Sequence, residues 1–191
     1  MLNKELSMSY RKIRVQAINF NSDRNIYLRQ AWAKRFLKSD LKSKVLLNID
    51  ESWLSNMDLR AMKWGFKGEN NNLEKKTMNP RISLIVGIDT LGNIYYSISQ
   101  SNSNSKMMDI FFKELTLKLD VDRPNWRKTT ILLIDNAPYH TSKDTIETLE
   151  TLRFPTMFLA PYAYDVAPCE LFFAMFKKVD LNPDNLSLGK K

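Results

Sequence analysis

Apolar and polar residues follow two different periods in the first half of the chain. Between residues 24 and 38 apolar side chains recur at helical spacing, at Ile26, Tyr27, Ala31, Trp32, Phe36 and Leu37. This spacing predicts a basic amphipathic helix. Residues 44–50 read KVLLNID, a short apolar run that predicts a buried strand. The runs RISLIVGID and NIYYSISQ predict two antiparallel strands, joined by a turn that starts at Asp89.

Helical and strand patterns alternate in the second half. Residues 107–119 carry an apolar helical stripe, residues 129–135 read TTILLID and predict a strand, and residues 142–152 predict a helix with Ser142 as its N-cap. A fifth strand, TMFLA, precedes the helix CELFFAMFKK, which has Pro168 in its first turn. The order strand, strand, strand, helix, strand, helix, strand, helix predicts an α/β fold, with helices on the faces of a mixed sheet.

The composition is that of a soluble globular protein. The 191 residues suit a single domain with a substantial core, and 43% hydrophobic with 26% charged residues is an ordinary balance for such a domain. No apolar run approaches the roughly 18 residues that a membrane span requires, and the N-terminus lacks the apolar core of a secretory signal. We therefore expect an intracellular protein without membrane contact. The single cysteine, Cys169, excludes an internal disulfide bond and is interpreted as a core residue.

Positive charge is concentrated near the N-terminus. Residues 1–44 contain 11 lysines and arginines against 3 acidic residues, whereas the other 18 basic and 18 acidic residues cancel, so this segment carries the whole net charge of +8. Basic side chains interleaved with aromatic ones can bind phosphates. The predicted phosphate contacts are Lys34, Arg35, Lys38, Lys177 and Lys178. On charge alone, a solvated helix face explains the segment equally well.

Two of the predicted strands end on an aspartate. Asp50 ends the first strand and Asp135 the fourth, so their carboxylates converge if these strands are neighbours. Carboxylates that lie close together repel, and a divalent cation between them relieves the repulsion. An all-oxygen site suits magnesium, and a third carboxylate would let the site hold two ions about 4 Å apart. Glu170, in the first turn of the last helix, is the candidate third ligand. Taken singly, each aspartate is also explained as a turn or cap residue.

Three residues near these carboxylates keep alternative interpretations. Adjacent strand residues face opposite sides of a sheet, so only one of Asp50 and Glu51 can point into the site. His140, the single histidine of the chain, either orients a water molecule or contacts a phosphate, or it caps the start of a helix. Asn136 is ambiguous in the same way.

The element order resembles that of the ribonuclease-H-like fold. The segments NIDES (48–52), LLIDNAPYHTS (132–142) and APYAYDVAPCELFFAMFKK (160–178) resemble the three catalytic blocks of DDE transposases of the mariner and related insertion-sequence type. Between Asp135 and Glu170 lie 34 residues, a spacing typical of one branch of that group. The resemblance covers roughly residues 24–188 and looks closest to transposase-derived proteins of ciliates.

This resemblance implies a set of functional residues. Asp50, Asp135 and Glu170 match the carboxylates that bind two magnesium or manganese ions in the family, and Asn136 and His140 match accessory positions. Family members cut DNA at transposon ends and join the freed 3′-hydroxyl to target DNA. The resemblance also implies DNA as partner, a possible homodimer, and a nuclear location in a eukaryote or a cytoplasmic one in a bacterium. The alternative functions are another ribonuclease-H-like nuclease, and a domesticated or decayed transposase that binds DNA without catalysis.

The expected architecture is a mixed five-stranded sheet flanked by helices, with a basic helical N-terminal extension. We assign residues 1–43 to the extension, 44–180 to the catalytic domain and 181–191 to a C-terminal tail. The extension is too short for the two helix-turn-helix modules that active family members carry, so we do not expect transposition by this chain alone. The family block PYSPDLNPIE is altered here, since alanine and tyrosine replace its serine and second proline, at Ala163 and Tyr164, and Ala167 replaces its asparagine.

Overall fold

Five strands form one mixed sheet in the computed structural model, which describes residues 17–38, 43–54 and 82–179. In chain order the strands are β1 (Val45–Leu54), β2 (Ile82–Asp89), β3 (Ile94–Ser99), β4 (Thr130–Ile134) and β5 (Thr156–Phe158). Across the sheet they lie in the order β3-β2-β1-β4-β5. β1, β2 and β3 pair antiparallel, whereas β4 pairs parallel to β1 and β5 parallel to β4. The predicted mixed sheet is confirmed.

Helices cover both faces of this sheet. They are α1 (Asp23–Lys38), α2 (Ser105–Asp122), α3 (Trp126–Thr129), α4 (Lys143–Thr151) and α5 (Pro168–Phe176), with a 3-10 turn at Tyr164–Val166. All the predicted helices are confirmed, and Ser142 caps α4 by accepting a hydrogen bond from the N–H of Thr145. The short helix α3 was not predicted; it places Trp126 in the core, fully buried. Among the described helices, none has the length and apolarity to cross a membrane.

The alternation of side chains along β1 separates two apolar cores. Leu47 and Ile49 point to the face covered by α2 and α4, where they join a cluster that contains the fully buried Phe112. Leu46 points to the opposite face, where it packs in a cluster with residues of α1. Burying one such apolar side chain contributes roughly 1.5–3 kcal/mol. Apolar packing on both faces therefore stabilises the sheet. Where β1 extends past the end of β4, the residues of β1 still alternate between these two faces.

Helix α1 packs directly on the sheet. Trp32 and Phe36 stack with ring centroids 4.7 Å apart and join the cluster formed by Leu46 and Met157. The indole Nε1 of Trp32 donates a hydrogen bond of 2.9 Å to the backbone carbonyl of Phe158 in β5. The basic residues of this helix that were predicted to contact DNA are exposed, namely Lys34, Arg35 and Lys38.

The prediction that β1 ends at Asp50 is wrong. β1 runs on to Leu54, because the residues from Glu51 onwards still pair with the first residues of β2. β4 does end just before Asp135, and the parallel pairing of β1 with β4 stops at Asn48 and Leu133. Asp50 therefore lies in mid-strand, where its neighbour β4 has already ended. The predicted tail, residues 181–191, and the polar stretch 55–81 lie outside the described residues.

The predicted turn at Asp89 is confirmed. Its Oδ1 accepts hydrogen bonds from the backbone N–H groups of Leu91 and Asn93, at 3.0 and 2.9 Å. Gly92 between them has φ 86°, a conformation that glycine adopts without steric cost. Arg123, which follows α2, pairs with the other carboxylate oxygen at 3.2 Å. These contacts fix the β2–β3 hairpin to the end of α2.

Candidate functional site

A cavity of about 480 Å³ lies where β4 ends beside β1. It is bounded by these two strands, by the loop after β5 and by the first turn of α5. The structure brings the three predicted carboxylates, Asp50, Asp135 and Glu170, to the lining of this one cavity, together with the accessory residue Asn136. We refer to it as the site cavity.

Asp50 and Asp135 reach the site cavity from adjacent strands. The parallel register pairs Asn48 with Leu133, and its continuation by two residues places Asp135 beside Asp50. Because successive strand residues alternate between the faces of a sheet, Asp50 shares a face with Asn48 while Glu51 points the other way. Asp50 lines the cavity and Glu51 does not, as this alternation predicts.

Asp50 is partly buried among other acidic groups. Its Oδ1 accepts a hydrogen bond of 2.8 Å from the N–H of Glu51, which favours the charged form. Burial outweighs that bond and, with the negative charges of Glu51, Glu170 and Asp135, raises the pKa of Asp50 to about 7. A carboxyl with this pKa exchanges a proton near neutrality, and a cation in the cavity would favour its ionised form.

Asp135 is held in its ionised form. Half of its side chain, 53%, is exposed, and Oδ1 makes two contacts: the N–H of Ala137 at 2.9 Å and Nδ1 of His140 at 2.6 Å. Partial burial alone would raise the pKa of Asp135, but these hydrogen bonds and the imidazole charge outweigh it and lower the pKa. Both contacts use Oδ1, which leaves Oδ2 for a ligand in the cavity.

A buried network lies directly behind this aspartate. His140 is fully buried, and its Nε2 lies 2.8 Å from Oε1 of Glu51, whose side chain is 3% exposed. The hydroxyl of Tyr139 donates to Oε2 of Glu51 at 3.0 Å. Burial disfavours the imidazolium, but the hydrogen bonds and charges of Asp135 and Glu51 outweigh burial and raise the pKa of His140 to about 9. Burial and the charge of Glu51 raise the pKa of Tyr139 above its ordinary value, so its proton stays on the phenol.

Sequence reasoning did not find the role of Glu51 in this network. The cap of α4 is Ser142, and His140 instead bridges two carboxylates. The signal that could have found the network is the alternation of β1, which sends Glu51 into the face lined by Leu47 and Ile49. A carboxylate buried there needs a partner, and the chain has a single histidine.

The comparisons with known proteins agree with this geometry. The sequence profile of a family described as DDE superfamily endonuclease matches residues 45–185. The chain belongs to this family. The mariner Mos1 transposase of Drosophila mauritiana is 35% identical over 112 residues, which are 55% of this chain and 31% of that protein. The chain thus spans about a third of the length of this curated relative.

Solved structures of Mos1 share the fold of this DDE endonuclease domain. The crystal structure of the Mos1 mariner paired-end complex with Mn matches with a TM-score of 0.63 and 25% identity, over 91% of this chain and 54% of that chain. The crystal structure of the catalytic domain of Mos1 matches with a TM-score of 0.59 and 23% identity, over 91% of this chain and 80% of that one. The predicted ribonuclease-H-like fold is confirmed. The closeness to ciliate proteins and the assignment to a 34-residue-spacing branch stay predictions.

The donor set at the site cavity is composed of carboxylate and amide oxygen atoms, which fits a magnesium or manganese ion. In the described ranges no three acidic, histidine or cysteine side chains converge on one point as they stand. Asp50 and Asp135 are fixed by hydrogen bonds to the N–H groups of Glu51 and Ala137. Glu170 is exposed on the first turn of α5, and its charge is one of those that act on Asp50.

The remaining predicted residues lie around the site cavity in different ways. Asn136 donates a hydrogen bond to the carbonyl of Leu159 and so ties the loop after β4 to the loop after β5. Cys169 is fully buried, and burial raises the pKa of its thiol to about 12, which confirms it as a core residue. The basic residues are exposed and none of them lines the cavity: Lys34, Arg35, Lys38, Lys177 and Lys178.

Proposed function

We propose that this chain is the catalytic domain of a DDE transposase, which cleaves DNA and transfers strands with two divalent metal ions. The observation that carries the proposal is that Asp50, Asp135 and Glu170 come from three separate elements to one cavity, in a chain of the DDE endonuclease family. Solved structures of the relative Mos1 include one described with Mn and one with Mg. We extend that use of a divalent ion to this chain.

Each residue has a separate task in the proposed site. When bound, the two ions would supply Lewis-acid stabilisation of charge on the phosphate and activation of the attacking oxygen. Asp50 and Asp135 would hold them from the sheet, and Glu170 from α5. His140 keeps the Asp135 carboxylate in one orientation through the 2.6 Å contact to Oδ1. Asn136 keeps the loop that walls the cavity in place through the carbonyl of Leu159.

DNA is the proposed substrate and partner. Mos1 has been solved as a paired-end complex with the left transposon end. For this chain, we infer that phosphate contacts come from Lys34, Arg35 and Lys38 on α1, and from Lys177 and Lys178 after α5. Two copies would pair two ends, as the description of the Mos1 complex suggests, and the protein would act in the nucleus of a eukaryote or the cytoplasm of a bacterium. The predicted division at residues 43 and 180 is retained in this proposal.

Manganese binding tests the proposed metal site. Titration calorimetry on the native chain should give a saturable heat that Asp135→Ala abolishes, because this change removes a ligand. The control is Glu150→Ala, an exposed carboxylate of α4 on the other side of the sheet, which should bind as the native chain does. Equal heats from the native chain and Asp135→Ala would refute the site.

Nuclease assays separate the proposal from another ribonuclease-H-like activity. Duplex DNA that carries transposon-like ends, an RNA–DNA hybrid and a branched DNA are incubated with the protein and Mn²⁺. Cleavage of the DNA duplex supports the transposase, and cleavage confined to RNA strands refutes it.

A second candidate function is DNA binding without catalysis. The observation in its favour is that the described carboxylates do not converge on one point as they stand. This function predicts that duplex DNA binds with equal affinity in EDTA and in Mn²⁺, and that no product forms under either condition. The transposase proposal predicts cleavage in Mn²⁺ that Asp50→Asn and Glu170→Gln abolish without loss of DNA binding.

A further inference from the structure

The start of α5 lacks a cap from its own segment. The first N–H groups of a helix have no partner inside the helix and are usually satisfied by the side chain of the N-cap residue. The N-cap of α5 is Ala167, which has the extended backbone of a cap, φ −106° and ψ 99°, but a methyl side chain that accepts no hydrogen bond. The N–H of Glu170 bonds back to the carbonyl of Ala167 at 3.1 Å, which leaves the N–H of Cys169 to be satisfied.

A side chain from β1 satisfies this donor. The N–H of Cys169 donates a hydrogen bond of 3.0 Å to Oδ1 of Asn48, 121 positions earlier in the chain. Asn48 is 2% exposed, so water does not compete for this contact. The interaction is an N-cap in which the capping residue belongs to the central strand of the sheet and not to the helix.

The other half of the Asn48 amide binds β4. Its Nδ2 donates to the carbonyl of Leu133 at 3.1 Å, at the residue pair where the β1–β4 pairing stops. A carbonyl needs a donor and an N–H needs an acceptor, so one orientation of the amide satisfies both partners. A carboxylate of the same shape could satisfy only the N–H of Cys169. Asn48 therefore joins three elements: β1, β4 and α5.

The thiol of Cys169 strengthens the same junction. Its Sγ lies 3.2 Å from the carbonyl of Asn48 and 3.4 Å from the carbonyl of Val86 in β2. Phe173, one turn later in α5, packs with Cys169 and Val86 in one apolar cluster. The first turn of α5 is thus attached to β1 and β2 by its backbone, its thiol and its apolar face.

This junction lies between two of the proposed metal ligands. Asn48 precedes Asp50 by two residues on the same face of β1, and Cys169 immediately precedes Glu170. The hydrogen bond from Cys169 to Asn48 therefore fixes the backbone that carries Glu170 relative to the backbone that carries Asp50.

We propose that Asn48 is the positioning residue of Glu170, and that it supplies from β1 the cap that position 167 lacks in this chain. The proposal rests on the proposed function, in which Glu170 is a metal ligand. The proposal also explains how α5 can begin at Ala167, although the family block has asparagine at this position. The capping oxygen comes from a different residue, and the start of the helix is satisfied all the same.

Labelling of Cys169 measures the junction without any metal. It is the single cysteine of the chain and fully buried, so its rate of reaction with an aromatic disulfide reagent reports opening of the first turn of α5. Asn48→Ala should raise this rate roughly tenfold, because it removes a helix cap and leaves a carbonyl and an N–H unpaired. The matched control is Asn104→Ala, the same substitution at the N-cap of α2, where the side chain accepts from the N–H of Met107 at 3.0 Å. Its labelling rate should equal that of the native chain.

Manganese affinity measures the consequence for the proposed ligand. Substitution of a residue that positions a metal ligand lowers affinity roughly 10- to 100-fold, so Asn48→Ala should do so while Asn104→Ala does not. In the Glu170→Gln background, the Asn48→Ala change should have no further effect on affinity, because its ligand is already gone. An undiminished effect in that background overturns the proposal.

Restoring a local cap provides the rescue test. Ala167→Ser places a hydroxyl on the extended N-cap residue, and the oxygen of this hydroxyl can accept a hydrogen bond from the N–H of Cys169. The double variant Asn48→Ala with Ala167→Ser should recover most of the lost protection of Cys169 and most of the manganese affinity. If the double variant labels at Cys169 as fast as Asn48→Ala and binds manganese as weakly, the proposal is overturned.

The two readouts separate this inference from the proposed function. If the native chain binds no manganese, the proposed metal site fails, while the thiol labelling still decides whether Asn48 holds α5. If the native chain binds manganese and Asn48→Ala binds it equally well, the metal site stands and the positioning role of Asn48 is refuted.

Discussion

Asp50 and Glu51 are adjacent in β1, yet the two faces of the sheet give their carboxylates opposite environments. Glu51 lies in a closed pocket where an imidazole and a phenol bind both of its oxygens. Asp50 lies in an open cavity, where the charges nearest to it are negative. The pleat of the strand thus separates a carboxylate that pairs with side chains of the protein from one that we propose binds an external cation. His140 links the two, because its ring contacts Glu51 with one nitrogen and Asp135 with the other.

Removal of the buried carboxylate should have the largest effect on stability. Glu51→Ala leaves His140 and Tyr139 without their shared partner, and breaking a buried ion pair costs about 3–5 kcal/mol. Urea unfolding followed by circular dichroism measures the loss. The exposed control Glu150→Ala should change the free energy of unfolding by less than about 0.5 kcal/mol. Equal midpoints for the two variants would show that the closed pocket contributes nothing to stability.

Deprotonation of His140 in the buried network should have the next largest effect on stability. The pKa of His140 is raised from 6.5 to about 9 in the folded protein, so its contribution is fully present below the unfolded pKa and is lost as pH rises through about 9. In EDTA, the native chain should lose about 3 kcal/mol more than His140→Gln between about pH 6 and pH 10. Parallel pH profiles for the two proteins would contradict the charged form of this imidazole.

Neutralising the open carboxylate of Asp50 should raise the free energy of unfolding of the metal-free protein instead of lowering it. The pKa of Asp50 is raised to about 7, so its ionised form destabilises the metal-free fold as pH rises from its unfolded pKa through 7. In EDTA at about pH 8, Asp50→Asn should therefore be more stable than the native chain by about 1–2 kcal/mol, and at about pH 4 the difference should vanish. Saturating Mn²⁺ should reverse the order, because the native chain alone then gains a ligand. A loss of stability in EDTA would contradict the distinction between the two faces.

Substitution of surface lysines should have the smallest effect, which is a change in the salt dependence of DNA affinity. Removing two phosphate contacts lowers the slope of log affinity against log salt concentration by about 2 for duplex DNA. Lys34→Ala with Lys38→Ala on α1 should show this change, and so should Lys177→Ala with Lys178→Ala after α5. Lys118→Ala with Lys113→Ala on α2, behind the opposite face of the sheet, is the control and should leave the slope unchanged. Fluorescence anisotropy at several salt concentrations makes the measurement.

The parts of the fold that depend on local pattern were predictable. The spacing of Trp32 and Phe36 predicted α1, and the apolar run before Asp135 predicted β4, because each signal lies within one element. The end of β1 was not predictable in the same way. Glu51 to Leu54 are polar and apolar in mixed order, and they stay in the strand because β2 pairs with them. That pairing is a property of two segments and not of one.

The site shows the same division. Asp135 could be placed from the end of its strand and Glu170 from the start of a helix, whereas Asp50, which lies in mid-strand, could be placed only by the family resemblance. The contacts that support them could not, because Asn48 to Cys169 and His140 to Glu51 join residues far apart in the chain. Each such contact depends on the register of β1 against β4 and on the side of the sheet that each residue faces. Neither property is expressed in the spacing of residues along the sequence.

The hydrogen bond between Trp32 and Phe158 connects the basic helix α1 to the wall of the site cavity. Phe158 gives its carbonyl to the indole, and the next residue, Leu159, gives its own to Asn136 in the cavity wall. One peptide unit therefore separates the anchor of the basic helix from the wall of the cavity. If a bound polyanion moves α1 along its axis, then either the hydrogen bond from Trp32 to Phe158 lengthens or the cavity wall at Leu159 moves together with the helix.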